Sequence, residues 1–276
     1  MRLPFAKYHG AGNDFVLVDD RAGAWAPHEH AAAIAWLCAR HTGIGADGLL
    51  LLRHDPTRAA AALEMVYYNA DGAPSSFCGN GSRCFVAFAR ELGLVEPGET
   101  FPFRANDGLH RGRLGADGRV AVSMRIAAGV TRLGEREDHV DTGSPHFIRW
   151  ASELPTGDIA PAARRVRYGE AYAETGVNVN FATEEGPGRL AVRTYERGVE
   201  GETLACGTGV TAAALSFADR HALTGRLHVD VRALGGELGV RFTRSAGGEL
   251  DDVWLTGPAR RVFGGEVSAS DLPPAG

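Results

Sequence analysis

The sequence predicts an α+β fold on three observations. Short β-type runs dominate, they do not alternate with helices in a regular βαβ rhythm, and one strand, turn, cysteine and helix pattern occurs twice. In chain order, 14–19 is an apolar run bounded by aspartates and reads as a strand, and 28–40 reads as a helix opened after Pro27. Residues 48–53 form a leucine-rich strand and 62–68 an alternating one. The stretch 79–92 reads as a helix that stops before Gly93. Strands are then expected at 119–124, 177–182, 189–195, 227–231, 238–242 and 252–256, with a third helix over 207–221. Tyr68-Asn69-Ala70-Asp71-Gly72 begins ten residues before Cys78, and Glu196-Arg197-Gly198 begins ten residues before Cys206. Each cysteine is followed by Gly-x-Gly and an alanine- and valine-rich helix. Two copies in one chain predict two similar lobes with a pseudo-twofold axis and a cleft between them, the boundary falling near the 115–118 turn.

Composition excludes several classes. The 44% hydrophobic and 23% charged fractions are globular averages, and the longest run free of polar residues and glycine, 31–39, is far short of the ~20 residues a membrane helix needs. Net charge is −5. The densest basic cluster, Arg164, Arg165 and Arg167, reads as a solvated helix face, so nucleic acid is not an expected partner. The stretch 1–8 has no apolar core of a secretion signal, which points to a reducing cytoplasm where the four cysteines are thiols. Lys7 is the single lysine, so a Schiff-base cofactor such as pyridoxal phosphate would have to use it.

A cysteine directly before a helix start sits where unsatisfied amides and the helix dipole favour an anion, which lowers a thiol pKa from ~8.5 and makes a usable base. Cys78 and Cys206 both have this setting, and the duplication favours chemistry over core packing. Cys38 and Cys84 read as small buried hydrophobes. No C-x-x-C pair or His-x₃₋₅-His spacing supports a metal site. A nucleophile pairing with His146 would leave the second cysteine unexplained. The glycines of 43–48 follow a helix and precede a strand, the reverse of a dinucleotide loop, and read as a turn. The 9–14 stretch reads equally as a turn or a ligand loop. Two thiols facing each other suit a reaction in which a thiolate removes a proton from one face of a carbon and a thiol returns one to the other, inverting the centre with no cofactor. The amides at both helix starts would hold the α-carboxylate as carbanion charge builds up.

Eight blocks in this order resemble the diaminopimelate epimerase family over nearly the whole chain. They are the 7–15 block Lys-Tyr-His-Gly-Ala-Gly-Asn-Asp-Phe, Gly43-Ile-Gly-Ala-Asp47, Asn69-Ala-Asp-Gly72, Cys78-Gly-Asn-Gly-Ser-Arg-Cys84, Gly143-Ser-Pro-His146, Val177-Asn178, Tyr195-Glu-Arg-Gly198 and Ala205-Cys-Gly-Thr-Gly209. The resemblance implies a cofactor-independent isomerase that interconverts LL- and meso-diaminopimelate in lysine and peptidoglycan precursor biosynthesis, commonly as a homodimer. It implies two lobes, each a curled, mostly antiparallel sheet around a central helix: 1–119 with Cys78, 120–261 with Cys206, and 262–276, including Phe263, returning to the first. Cys78 and Cys206 would be the acid/base thiols, tuned by His146 and Glu196. The amides of Gly79, Asn80, Gly207 and Thr208 would cradle the carboxylate, and Asn13 and Glu196 would bind the reacting ammonium. Asn69, Asn178 and Arg197 would hold the far end of the substrate, Arg197 as a buried carboxylate ligand. The chain departs from the family at Gly48, where many members carry a glutamine, and at Ser144, where many carry an asparagine. A proline, hydroxyproline or histidine racemase of the same fold is the nearest alternative, and Arg197 discriminates because a monocarboxylic substrate gives it nothing to bind. A PhzF-like isomerase lacks the cysteine pair, and a non-catalytic amino-acid-binding module needs no matched thiols.

Overall fold

The computed structural model describes residues 1–57, 61–75 and 77–275, and the chain divides into two units, Met1–Val122 with Pro258–Gly276, and Ser123–Gly257. The first unit contains β1 (Arg2–Gly10), β2 (Asn13–Asp19), β3 (Gly48–His54), β4 (Leu63–Asn69), β5 (Thr100–Ala105), β6 (Gly108–Leu114) and β7 (Val120–Ser123). Helix α1 (Ala31–Cys38) lies between β2 and β3, and α2 (Gly79–Glu91) between β4 and β5. The second unit contains β8 (Ala128–Arg132), β9 (Glu137–Asp141), β10 (Pro145–Trp150), α3 (Ala160–Arg167), β11 (Asn178–Gly186), β12 (Arg189–Glu196), β13 (Gly201–Thr203), α4 (Gly207–Arg220), β14 (Gly225–Ala233), β15 (Gly236–Arg244) and β16 (Leu250–Gly257). The last strand, β17 (Arg260–Ser268), belongs to the first unit, where it pairs antiparallel with β1.

The pairing pattern is duplicated as well as the motif. In the first unit the order is β17, β1, β2, β3, β4, β5, β6, β7, with only β2–β3 and β4–β5 parallel. In the second it is β8, β9, β10, β11, β12, β14, β15, β16, and the parallel pairs fall in the same places, β10–β11 and β12–β14. The short β13 is an extra hairpin partner of β12. Each unit is thus a curled, mostly antiparallel sheet around a central helix, α2 or α4, most of whose residues are buried.

Burial on both faces explains the long apolar runs. In β2 and β3, Val16, Val18, Leu49 and Leu51 pack with Ile34 and Leu37 of α1. The alternate residues Phe15 and Leu50 approach the first turn of α2, where a Cβ added at Gly81 would meet them at 3.4 and 3.5 Å. The second unit repeats this, with Phe147, Val179 and Phe181 against Ile159 and Ala163 on the α3 side.

Several expectations change. The helix expected over 28–40 is an 8-residue α1 preceded by a 3₁₀ turn at Ala26–His28; it ends early because Ala39 takes an extended conformation, ψ 119°. Strands β1, β5, β6, β8, β9, β10, β13 and β17 were not among those read from the sequence. Arg164, Arg165 and Arg167 do lie on a helix, in the last turn of α3. Among the described residues no helix is long and apolar enough to cross a membrane.

Candidate active site

In the first unit the site is built where β2 starts and α2 begins. Ala11 and Gly12, both at positive φ (56° and 89°), make a two-residue hairpin turn between β1 and β2. The 9–14 stretch is therefore a turn, and it also delivers Asn13 to Cys78. Cys78 is the N-cap of α2, with Sγ accepting from the Gly81 amide at 3.4 Å and lying 3.6 Å from Asn13 Oδ1. Asn80 Nδ2 donates to the same oxygen at 3.4 Å, and Asn13 Nδ2 donates to Asp47 Oδ2 at 2.5 Å, which fixes the orientation of both amides. Gly79 and Asn80 form the first turn of α2, and a helix N-terminus suits an anion. Asn69 ends β4 opposite Gly48, and its backbone turns back through Gly72 and Ala73. A Cβ at Gly48 would stand 2.5 Å from Tyr68 O and 2.7 Å from the Tyr67 ring, so a side chain there needs those neighbours to move.

In the second unit Cys206 is the N-cap of α4, and its Sγ lies 3.3 Å from Thr208 Oγ1. Thr142 Oγ1 donates to Thr208 O at 3.2 Å and ties this turn to the segment after β9. His146 on β10 stands in register with Asn178 on β11 and is fully buried. Gly209 allows α4 to approach this pair of strands, since a Cβ there would sit 2.4 Å from Asn180 Oδ1 and 3.3 Å from His146 Cε1. Asn180 Nδ2 donates to Phe147 O at 3.1 Å and faces His146 Nδ1 at 3.1 Å, so Nδ1 accepts and the neutral ring carries its proton on Nε2. That Nε2 is buried with no acceptor among the described residues. Burial, with smaller contributions from His139 and Arg197, lowers the His146 pKa to about 3, so the ring is neutral at pH 7. Asn178 accepts from the Arg197 amide at 2.8 Å and donates to Ser144 Oγ at 2.8 Å. Arg197 itself is exposed, with Nη1 on Thr175 O at 2.9 Å, which corrects the expectation of a buried side chain. It follows the end of β12, where the chain leaves the sheet for solvent. Glu196, the last residue of β12, is half-buried.

Stability should follow His146. An unfolded histidine takes a proton below about pH 6.5, whereas the buried one does so only near 3, so its contribution is full above 6.5 and is lost as pH falls between those values. Denaturant unfolding from pH 7.5 to 5 is expected to show a stability loss of up to about 1.4 kcal/mol per unit below 6.5, flattened in His146→Gln. An unchanged slope in that variant would show the loss arises elsewhere.

The remaining cysteines are structural. Cys38 and Cys84 are buried, and burial pushes both thiols up, Cys38 to about 12. Lys7 is buried between Asp14, at 2.7 Å, and the Gly45 carbonyl. Although burial pushes Asp14 upward, hydrogen bonds from Arg40 and Lys7 outweigh it and hold this carboxyl at about 2. Among the described residues no group of three or more histidine, cysteine or acidic side chains is placed to hold a metal.

The diaminopimelate epimerase family profile matches residues 5–124 and 139–262, most of the chain and both cysteine motifs. The chain belongs to the diaminopimelate epimerase family. It is 39% identical over 257 residues to the diaminopimelate epimerase of Flavobacterium psychrophilum, covering 93% of this chain and 97% of that one. The enzyme of Chlorobaculum tepidum is 39% identical over 265 residues, covering 94% and 99%. A solved PhzF-family phenazine biosynthesis protein of Bacillus anthracis superposes with a TM-score of 0.72 over 97% of this chain and 99% of that one, at 14% identity, a likeness of fold. As a diaminopimelate epimerase family member the chain is an isomerase. Three residues not singled out in the sequence contact the candidate ones: Asp47 binds Asn13, Arg83 binds Asn80, and Asn180 faces His146. Asn180 carried a signal, since it lies two residues after Asn178 on a strand and so shares its face.

Proposed function

We propose that this protein interconverts LL- and meso-diaminopimelate without a cofactor, by proton transfer at one α-carbon between a thiolate and a thiol, in the supply of lysine and peptidoglycan precursors. The observation that carries the reading is the cysteine N-cap repeated at the same place in two units of the same topology, in a chain of this family. One thiolate takes the α-proton, and the electron pair left on carbon delocalises into the carboxylate. The other thiol then donates its proton to the opposite face, leaving a thiolate there. The amides of Gly79, Asn80, Gly207 and Thr208 stabilise the charge that develops on the carboxylate. Asn13 Oδ1 and Glu196 accept from the reacting ammonium, and His146 acts as a neutral donor through Nε2–H. Asn69, Asn178 and Arg197 bind the distal end.

Independence from a cofactor is supported by Lys7, the single lysine, whose Nζ is buried and engaged by Asp14 at 2.7 Å and by the Gly45 carbonyl. A cytoplasmic setting fits four cysteines that are all free. A homodimer fits β17, an edge strand whose residues from Arg260 to Glu266 are all exposed, Val262 and Phe263 among them.

Incubation with LL-diaminopimelate in heavy water, with no added cofactor, is expected to give meso product carrying deuterium at one α-carbon. Absence of exchange would sink the reading, and exchange into proline or histidine instead would move the substrate to a monocarboxylic amino acid. In the same assay Arg197→Met is expected to lose about 10–10²-fold in kcat/KM, the cost of one charge-assisted contact at an exposed position. Unchanged turnover would remove Arg197 from the site.

A further inference from the structure

Cys78 and Cys206 occupy equivalent positions, but the helix turns behind them differ in charge. Arg83, five residues after Cys78, is wholly buried. Its Nη1 donates to Gly79 O at 3.2 Å, Nη2 to Asn80 Oδ1 at 2.8 Å and Nε to Pro258 O at 3.2 Å, all neutral acceptors. Five residues after Cys206 stands Thr211, also buried, whose hydroxyl donates to Gly207 O at 2.9 Å. The two side chains thus hold the equivalent carbonyl, one with a full positive charge and one with none. Burial lowers the Arg83 pKa only to about 10, so it remains a cation at neutral pH, and the charges that stabilise it belong to Cys84 and Cys78. Burial keeps Cys84 a thiol. Among the described residues no carboxylate pairs with Arg83.

Resting on the two-thiol reading above, we propose that Arg83 is a positioning residue that supplies the buried counter-charge for a thiolate on Cys78, so that the free enzyme holds its proton-accepting sulfur at Cys78 and its proton-donating one at Cys206. A desolvated guanidinium without an anion is costly, and a thiolate at the N-cap, next to the Gly79 carbonyl that Arg83 binds, offsets that cost. The Gly81 amide already donates to Cys78 Sγ, which also favours the anion. Other groups facing this turn do not cancel it. Asp14 is neutralised by Lys7 and Arg40, and Asp47 is held by Asn13 and Arg40. Arg119 adds positive charge near Arg83. Asn13 Oδ1 opposes it by accepting from a Cys78 thiol at 3.6 Å, but a thiol is a weak donor, whereas an opposite charge nearby shifts a titration by about 1–3 units. On the Cys206 side His146 is neutral, and Glu196 and Arg197 at the end of β12 carry opposite signs. His139 and Asp141 on β9 are further titratable groups on that side.

The test is alkylation by iodoacetamide from pH 5 to 10, with the midpoint of the rate profile read separately at each cysteine by peptide mapping; the midpoint reports ionisation and is independent of access. In the unmodified protein the Cys78 midpoint is expected at least about 1 unit below that of Cys206. Arg83→Gln should raise the Cys78 midpoint by about 1 unit and leave Cys206 within a few tenths, while Arg83→Lys should keep most of the low value. Equal midpoints in the unmodified protein, or a lower one at Cys206, overturn the proposal whether or not Arg83→Gln folds. A folded Arg83→Gln with an unmoved Cys78 midpoint also overturns it. Alkylation involves no amino-acid substrate, so failure here leaves the epimerase reading standing, and failure of the heavy-water experiment leaves these midpoints interpretable.

Discussion

Replacing either Cys78 or Cys206 with alanine is expected to reduce epimerisation by ~10²–10⁴-fold, the usual worth of one general acid or base group. On the proposed two-thiol mechanism each face of the α-carbon has its own proton carrier, and the two cysteine N-caps belong to separate units of the fold. Inversion and exchange should separate in these variants. With one thiol left, deuterium still enters the stereoisomer whose α-proton faces it, but little product of inverted configuration forms. Following deuterium content and stereochemistry together distinguishes this from general damage to the fold. Near-normal epimerisation by either variant would rule out the two-base mechanism.

The second large effect is on stability. Asp138 on β9 is fully buried and accepts from Trp150 Nε1 at 3.1 Å, from the Ser216 hydroxyl, and from Arg220 Nε and Nη2 at 2.6 and 2.9 Å. Ser216 and Arg220 lie on the C-terminal half of α4, so this carboxylate fastens the end of the helix opposite Cys206. Asp138→Ala would leave a largely buried guanidinium and the Ser216 hydroxyl without their acceptor, at a cost of about 3–5 kcal/mol. For a protein of this size that corresponds to a fall in melting temperature of roughly 10 °C, measurable by calorimetry. A fall of under about 2 °C would mean that water or a neighbouring carboxylate takes over the role.

Much of this was readable in the sequence, for reasons particular to each element. Helices α2 and α4 were located to within a residue because a Cys-Gly-x-Gly start and a following turn bracket each of them. Strands β2, β3 and β12 were readable because both faces are covered over part of each, leaving the apolar stretches Phe15 to Val18, Leu49 to Leu52 and Leu190 to Val192. Strand β17 was not, since Arg-Arg-Val-Phe-Gly-Gly-Glu has no alternation when every one of those residues is exposed, and β8 is exposed everywhere but at Val130. Pro4 hid β1; it is tolerated there because the β2 pairing begins only at Ala6. In the site, Cys78 and Cys206 stood out through repetition. Arg83 and Asp47 did not, because an arginine in a helix and an aspartate in a turn are ordinary until packing shows what they touch. The burial of His146 and the exposure of Arg197 depend on tertiary packing that no local pattern encodes.

The placement of β17 has a consequence for the order in which the protein is completed. The second unit is one uninterrupted stretch, so it can fold without waiting for any segment outside it. The first unit cannot finish without β17, which follows the whole second unit in sequence: Arg2 waits for Ser268 and Phe5 for Gly265. Bringing those ends together carries the loop-closure entropy of nearly the whole chain, which an already folded second unit reduces by shortening the flexible part. Until that pairing forms, β1 keeps one edge open, and it stays exposed to mispairing while the second unit is already closed.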